Sequence, residues 1–180
     1  MGQYYRPVLN DGQKTTIYNR YVDGSYTIAK LTEHSWWENS LMKAISEKLY
    51  QKKCRLIWCG DYAENEEVAM TGLTVKDIWD CDGEEVNKTN FNIDNLFLCN
   101  HETKEYINLA IYKQLSMDKD GWVIHPLSLL TAIGNGRGGG DYWEDYPNAD
   151  KIGIWAWNLI SLEAEPPMDY IEFEVVFKEN

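Results

Sequence analysis

Five of the seven residues from Gly134 to Gly140 are glycine, with Asn135 and Arg137 between them, and Asp141-Tyr142-Trp143 follows at once. Glycine loses more conformational freedom on folding than any other residue. A cluster of this density therefore needs a backbone reason: positive φ angles, or a surface that another group must approach closely. Two readings fit. In one, the loop amides form an anion-binding nest, Arg137 supplies a bidentate cation, and Tyr142, Trp143 and Tyr146 stack on a planar ring. In the other, the loop is a tight crossing where only glycine fits. Gly134, Gly136 and Gly139 match GxGxxG in form, but the segment Asp141–Pro147 is a poor helix. No Lys-Ser/Thr completes a phosphate-binding loop either, so both nucleotide motifs are set aside.

The rest of the chain reads as strands and helices in alternating blocks. Strand-like runs cover Gln3–Leu9, Thr15–Val22 and Tyr26–Leu31, joined by turns at Asn10-Asp11-Gly12 and Asp23-Gly24-Ser25. Leu41, Met42, Ile45, Leu49 and Tyr50 recur at helical spacing and predict a helix over Glu38–Lys52. Ser35 is its expected N-cap, with Glu38 as capping-box partner, and Lys48, Lys52 and Lys53 suit its C-terminal end. Cys54–Cys59 is a short apolar strand, Ala63–Glu67 an exposed acidic stretch, Leu73–Trp79 one or two helical turns, and Asp80–Glu85 an acidic loop. Asn95–Asn100 and Glu105–Leu109 form a hairpin, and Trp122–His125 a short strand. Pro126 then opens a short helix that Gly134 ends. Lys151–Ser161 carries apolar groups on both faces, and Tyr170–Phe177 alternates with period two; these two runs are expected to pair as a hairpin. The sum is an α+β domain spanning residues 1–180, a mostly antiparallel sheet with about two principal helices packed on it.

Acids outnumber bases 29 to 17, for a formal charge of −12. Phosphate binding needs a basic face, so no nucleic acid partner is expected. An acidic surface instead attracts basic partners. The eight tryptophans suit large cores and binding surfaces equally well. The four cysteines form no CxxC pair, no signal peptide opens the chain, and no apolar stretch reaches membrane-spanning length. A cytoplasmic protein with reduced thiols is expected. His34, His101 and His125 stand in separate contexts without HxxxH spacing, so no metal and no cofactor is expected.

A second constellation is chemical. Cys59 as nucleophile, His34 as base and Asp61 as acid would make a hydrolase or transferase, although a thiol between Trp58 and Gly60 in an apolar run is ordinarily buried and inert. The carboxylates Asp61, Glu64, Glu66 and Glu67 read as a solvated acidic loop.

Four segments carry a resemblance: Met1–Val8 (MGQYYRPV), Leu31–Trp36 (LTEHSW), Trp58–Ala63 (WCGDYA) and Gly134–Tyr142 (GNGRGGGDY). Together they resemble a family of small bacterial and bacteriophage proteins with an MGQYY start, an EHS-aromatic motif, a GDYA segment and a GNGRGGGDY loop. The family carries no established activity, so the resemblance implies a cytosolic protein of possible mobile-element origin and supplies no mechanism. The sequence favours a non-catalytic binding protein. Its expected ligand contacts are Gly136, Arg137, Gly138, Gly139, Asp141, Tyr142 and Trp143, with His34 and Trp36, recognising an anionic, nucleotide-like small molecule or a partner protein. The alternatives are an acidic inhibitor of a basic host factor and the Cys/His enzyme.

Overall fold

A short apolar run flanked by polar segments is the pattern of a strand covered on both faces, and Cys54–Gly60 lies inside the sheet with both faces buried. The computed structural model describes residues 1–22, 25–26 and 30–179. In chain order the strands are β1 (Tyr5–Asn10), β2 (Thr15–Val22), β3 (Ser25–Tyr26), β4 (Cys54–Gly60), β5 (Glu84–Val86), β6 (Phe97–Asn100), β7 (Glu105–Asn108), β8 (Ala132–Ile133), β9 (Leu159–Glu163) and β10 (Ile171–Glu172). The helices are α1 (Ser40–Leu49), α2 (Asn65–Val68), α3 (Val75–Asp80), α4 (Leu109–Ser116) and α5 (Pro126–Leu130). The sheet runs β10-β7-β6-β9-β4-β1-β2-β3, with β5 beside β2 and β8 beside β4. Pairing is antiparallel from β7 through β3 and parallel where β10 meets β7, β5 meets β2 and β8 meets β4. This is the expected α+β, mostly antiparallel architecture.

Period-two alternation divides β4 between two cores. Cys54, Leu56 and Trp58 join the larger one, with Leu41, Met42, Ile45 and Leu49 of α1 and Leu127, Leu129 and Leu130 of α5. Ile57 and Cys59 face the other way, against Val8, Val68 of α2 and Ile78 of α3. On β1 the same alternation puts Arg6 on the smaller side, buried. Its guanidinium donates to the carbonyls of Tyr18, Ile78, Cys81 and Asp82. A cation is thereby held against the C-terminal end of α3, where the helix dipole favours it.

Several local expectations shift. The helix expected over Glu38–Lys52 is shorter because Asn39 caps it, its Oδ1 accepting from the amides of Leu41 and Met42. Ser35 instead donates to the Lys30 carbonyl. Beyond Leu49, Gln51 takes a φ of 53°, which no helix continues through. The acidic stretch at Ala63–Glu67 folds into α2, closed by a capping box between Glu64 and Glu67. Leu109, expected to end the returning strand, instead opens α4 with residues 110–116, unassigned from the sequence, and Asn108 is its cap. Trp122–His125 makes only one bridge, Ile124 to Trp36, and His125 caps α5. The turn at Asp23-Gly24 and residues 27–29 of the third expected strand lie outside the described residues, and Leu31 sits in a turn.

The largest correction concerns the C-terminal hairpin. β9 inserts between β4 and β6, whereas β10 crosses two strands to pair in parallel with β7. Turns occupy 152–157, and ordered pairing begins only at Leu159. Among the described residues no helix is long and apolar enough to cross a membrane.

Candidate functional site

The glycine loop is placed by its flanks. β8 pairs in parallel with Trp58 and Cys59 of β4, so the loop leaves the sheet beside Gly60 and Asp61. There it meets the N-terminal segment. Gln3 donates its amide to the Gly139 carbonyl (3.0 Å) and its side-chain Nε2 to the Gly134 carbonyl (2.9 Å), while the Gly139 amide donates to Met1 (3.0 Å). At Gly138 the contact is too close for any side chain: a Cβ there would lie 2.6 Å from Gln3 Cβ and 2.7 Å from Gln3 N. Gly136 faces open space but takes a φ of 88°, the left-handed region that L side chains rarely adopt. Close approach or a left-handed φ thus accounts for Gly134, Gly136, Gly138 and Gly140, whereas a Cβ at Gly139 would meet only ordinary contacts from 3.6 Å outward.

The nest also exists, and its anion is internal. Asp141 is 1% exposed. Its Oδ2 accepts from the amides of Gly136 (2.8 Å), Arg137 (2.8 Å) and Gly138 (2.9 Å), and its Oδ1 from the Tyr5 hydroxyl (2.8 Å). Burial first, and the adjacent carboxylate second, push the Tyr5 pKa far above its ordinary value, which keeps it a phenol donor. Asn135 closes the loop with a two-way clasp, donating to the Tyr142 carbonyl and accepting from its amide. An external anion would have to displace Asp141 from this cradle. Arg137, expected to meet a ligand anion, holds Glu67 through both terminal nitrogens (2.7 and 3.2 Å), with Glu64 at 3.7 Å and the Tyr62 carbonyl at 2.9 Å.

The aromatics divide. Tyr142 is buried and cannot stack on a ligand; its hydroxyl donates to Pro147, accepts from the Lys178 amide, and its ring stands edge-on to Tyr146 and Phe177. Trp143 is 41% exposed. It borders a cleft of about 540 Å³ with Asn135, Gly136, Tyr142, Glu144, Ala149 and Asp150. Trp36 belongs elsewhere: its indole donates to Thr32, its ring lies 4.2 Å from that of Trp122, and it lines a separate cleft of about 180 Å³ with Asp118 and Asp120.

The enzyme constellation does not assemble. Cys59 is fully buried on the smaller-core side of β4, opposite Arg6. Burial pushes its thiol up to about 12, the reverse of an activated nucleophile. Asp61 exchanges hydrogen bonds with the Tyr4 backbone, its Oδ1 accepting (3.1 Å) and its amide donating (2.9 Å). His34 is half-buried, with Nδ1 unbonded; burial lowers its pKa, and the charges acting on it are Glu33 and Lys30. Asp61 and Arg137 do share a neighbourhood, through Tyr62, and His34 is bonded to neither. All four cysteines are free. Among the described residues no group of three or more His, Cys, Asp or Glu side chains is arranged to hold a metal ion.

Sequence reasoning missed a polar line at the far side of the sheet. Tyr170 Oη lies 2.6 Å from His101 Nδ1, His101 Nε2 lies 2.7 Å from Ser161 Oγ, and Ser161 donates to Glu163. Ser161 is fully buried with its proton directed at Glu163, so the line fastens the C-terminal segment to β9 and presents no nucleophile. The only local signal was same-face spacing at Cys99/His101 and Ser161/Glu163. Comparison of the chain with protein-family models, curated proteins and solved structures finds no match.

Proposed function

We propose that the chain is a non-catalytic binding protein whose acidic, aromatic cleft beside the glycine loop receives a basic group of a partner protein. The observation that carries this reading is the internal use of the loop's anion-binding groups. Three amides close on Asp141 and Arg137 closes on Glu67, while Trp143 stands exposed at a cleft whose charged lining residues are Glu144 and Asp150. An exposed indole beside the Glu144 carboxylate suits a guanidinium or ammonium group, through cation–π attraction and ion pairing, while Asp150 is already paired with Lys151 (2.7 Å). The pinned loop keeps Trp143 in place, so little ordering is required on binding. The formal charge of −12 draws such a partner in at long range.

The test is calorimetric titration with an arginine octapeptide, beside a thermal-shift screen of nucleotides and sugar phosphates. Binding of the peptide that weakens steeply with salt and is lost in both Trp143→Ala and Glu144→Lys is the expected result. A stabilising shift by a phosphate compound, abolished in Arg137→Ala, would replace this reading with a small-anion site at the loop.

A further inference from the structure

β7 and β10 run side by side only as far as Phe173, whose amide donates to Tyr106 (2.7 Å). Beyond that point β7 turns into α4, and the chain after β10 continues past it to Phe177 without a ladder partner. The two diverge around a cleft of about 400 Å³ whose lining includes Ile107, Ile111, Leu115, Glu172, Glu174 and Val176.

Two features of this cleft are not needed by the fold. The first is apolar. α4 buries Leu109, Tyr112 and Ser116, yet its opposite side carries Ile111, 45% exposed, and Leu115, 55% exposed. These lie one turn apart, on a face that ordinarily bears charge. The second is backbone. Residues 174–177 alternate exposed, buried, half-buried, buried, the period of extended chain. The segment is tied down at Phe173 by Tyr106, at Val176 by Asn148 Nδ2 and at Phe177 by Ser116 Oγ. Ile171 and Phe173 donate toward β7 and Phe177 toward α4, so strand alternation turns the amides of Glu174 and Val176 to the opposite edge, where among the described residues none accepts from them. Fixed, extended backbone with open donors beside apolar surface is a template for strand addition.

Charge selects the occupant. Glu172 and Glu174 line the cleft and no Lys or Arg does. We propose that this cleft binds an extended segment of a partner protein in which apolar and basic residues alternate. The segment adds a strand beside residues 172–176, sets its apolar side chains on Ile111 and Leu115, and brings its cations to Glu172 and Glu174. The partner's charge rests on the reading of the chain as an acidic binding protein; the cleft and its open amides stand without it.

The probe is a blocked octapeptide of alternating lysine and valine, titrated into the full ¹⁵N-labelled chain and followed by amide shifts. Shifts should concentrate at residues 171–176 and 111–116. Affinity should fall about tenfold or more in Leu115→Lys and in the pair Glu172→Lys with Glu174→Lys. All three substituted positions are at the surface, and the same spectra verify the fold. A lysine–serine octapeptide that binds equally well would reduce the contact to bare charge and overturn the proposal. So would the absence of shifts at about millimolar peptide. Shifts confined to Trp143 and Glu144, lost in Trp143→Ala, would move the peptide to the loop cleft, refuting this site while sparing the other. Concentration-dependent shifts of residues 171–176 without peptide would make a second copy of the chain the occupant, and would equally refute it.

Discussion

Removing the Asp141 carboxylate puts a number on the internal nest. In Asp141→Ala four donors lose their acceptor: the amides of Gly136, Arg137 and Gly138 and the Tyr5 hydroxyl. They are not equivalent. Gly136 and Arg137 are exposed, so water replaces the carboxylate there at small cost. Gly138 and Tyr5 are buried, and an unsatisfied buried donor costs about 1–3 kcal/mol. The two together come to about 4 kcal/mol, a large share of the ~5–15 kcal/mol that holds a domain folded. Asp141→Asn keeps one oxygen for the loop amides but loses the charge and turns an NH₂ toward Tyr5, so about half that loss is expected. Urea denaturation followed by circular dichroism reads both, provided the slope is unchanged between variants. Tyr5→Phe added to Asp141→Ala should cost little further, because the orphaned hydroxyl leaves with it; the double-mutant coupling should exceed about 1 kcal/mol. A loss below about 1 kcal/mol in Asp141→Ala would mean that the carboxylate does not hold the loop, and the argument that the nest is already filled would fall with it.

Two further expectations concern buried titratable groups. Burial drives the His125 pKa down to about 3; its Nδ1 accepts from the Leu127 amide, which leaves Nε2 to carry the proton toward Ser46. The unfolded ring protonates near 6.5. The stability this neutral ring contributes is therefore complete above that pH and declines as pH falls toward 3, by up to about 1.4 kcal/mol per pH unit. His125→Asn, whose oxygen can cap the same helix, should flatten the slope of unfolding free energy between pH 6 and 4; an unaltered slope would exclude His125 as its source. For the thiols, Cys59 and Cys99 are both buried and both pushed up to about 12, whereas Cys81 is half-buried. Iodoacetamide at about pH 8 should label Cys81 first and leave Cys59 unmodified in the native chain. Rapid labelling of Cys59, read by peptide mass spectrometry, would contradict its burial.

The local features of this fold were legible in the sequence wherever residues close in the chain decide them. Apolar alternation and Asn10-Asp11-Gly12 mark the β1–β2 hairpin; the turn at 101–104 marks β6–β7; Pro126 and Gly134 bracket α5 and its exit. Helix ends were less legible: Ser35 is the expected cap, but Asn39 caps α1, and Trp37 and Leu41 on either side of it pack into the core. Part of the candidate site is local too. Asp141 lies three to five residues from the amides it holds, and a carboxylate that near a glycine loop is the natural first ligand for its nest.

Sheet order was not legible. Period-two patterns identify strands but not their neighbours, so β9 and β10, adjacent in sequence, end on opposite sides of the β6–β7 pair. The same limit applies to the site. The sequence by itself determined that residues 134–140 form a glycine-rich loop with an acid and aromatics at its exit, because backbone conformational freedom is a local property. Only the tertiary structure decided that Gln3, 131 residues from Gly134, fills the space above the loop, that Tyr5 completes the cradle of Asp141, and that Trp143 faces outward while Tyr142 faces in. Those outcomes depend on which distant groups satisfy a hydrogen-bond donor or cover an apolar surface at the lowest free energy of the whole fold, and that competition is settled by long-range packing.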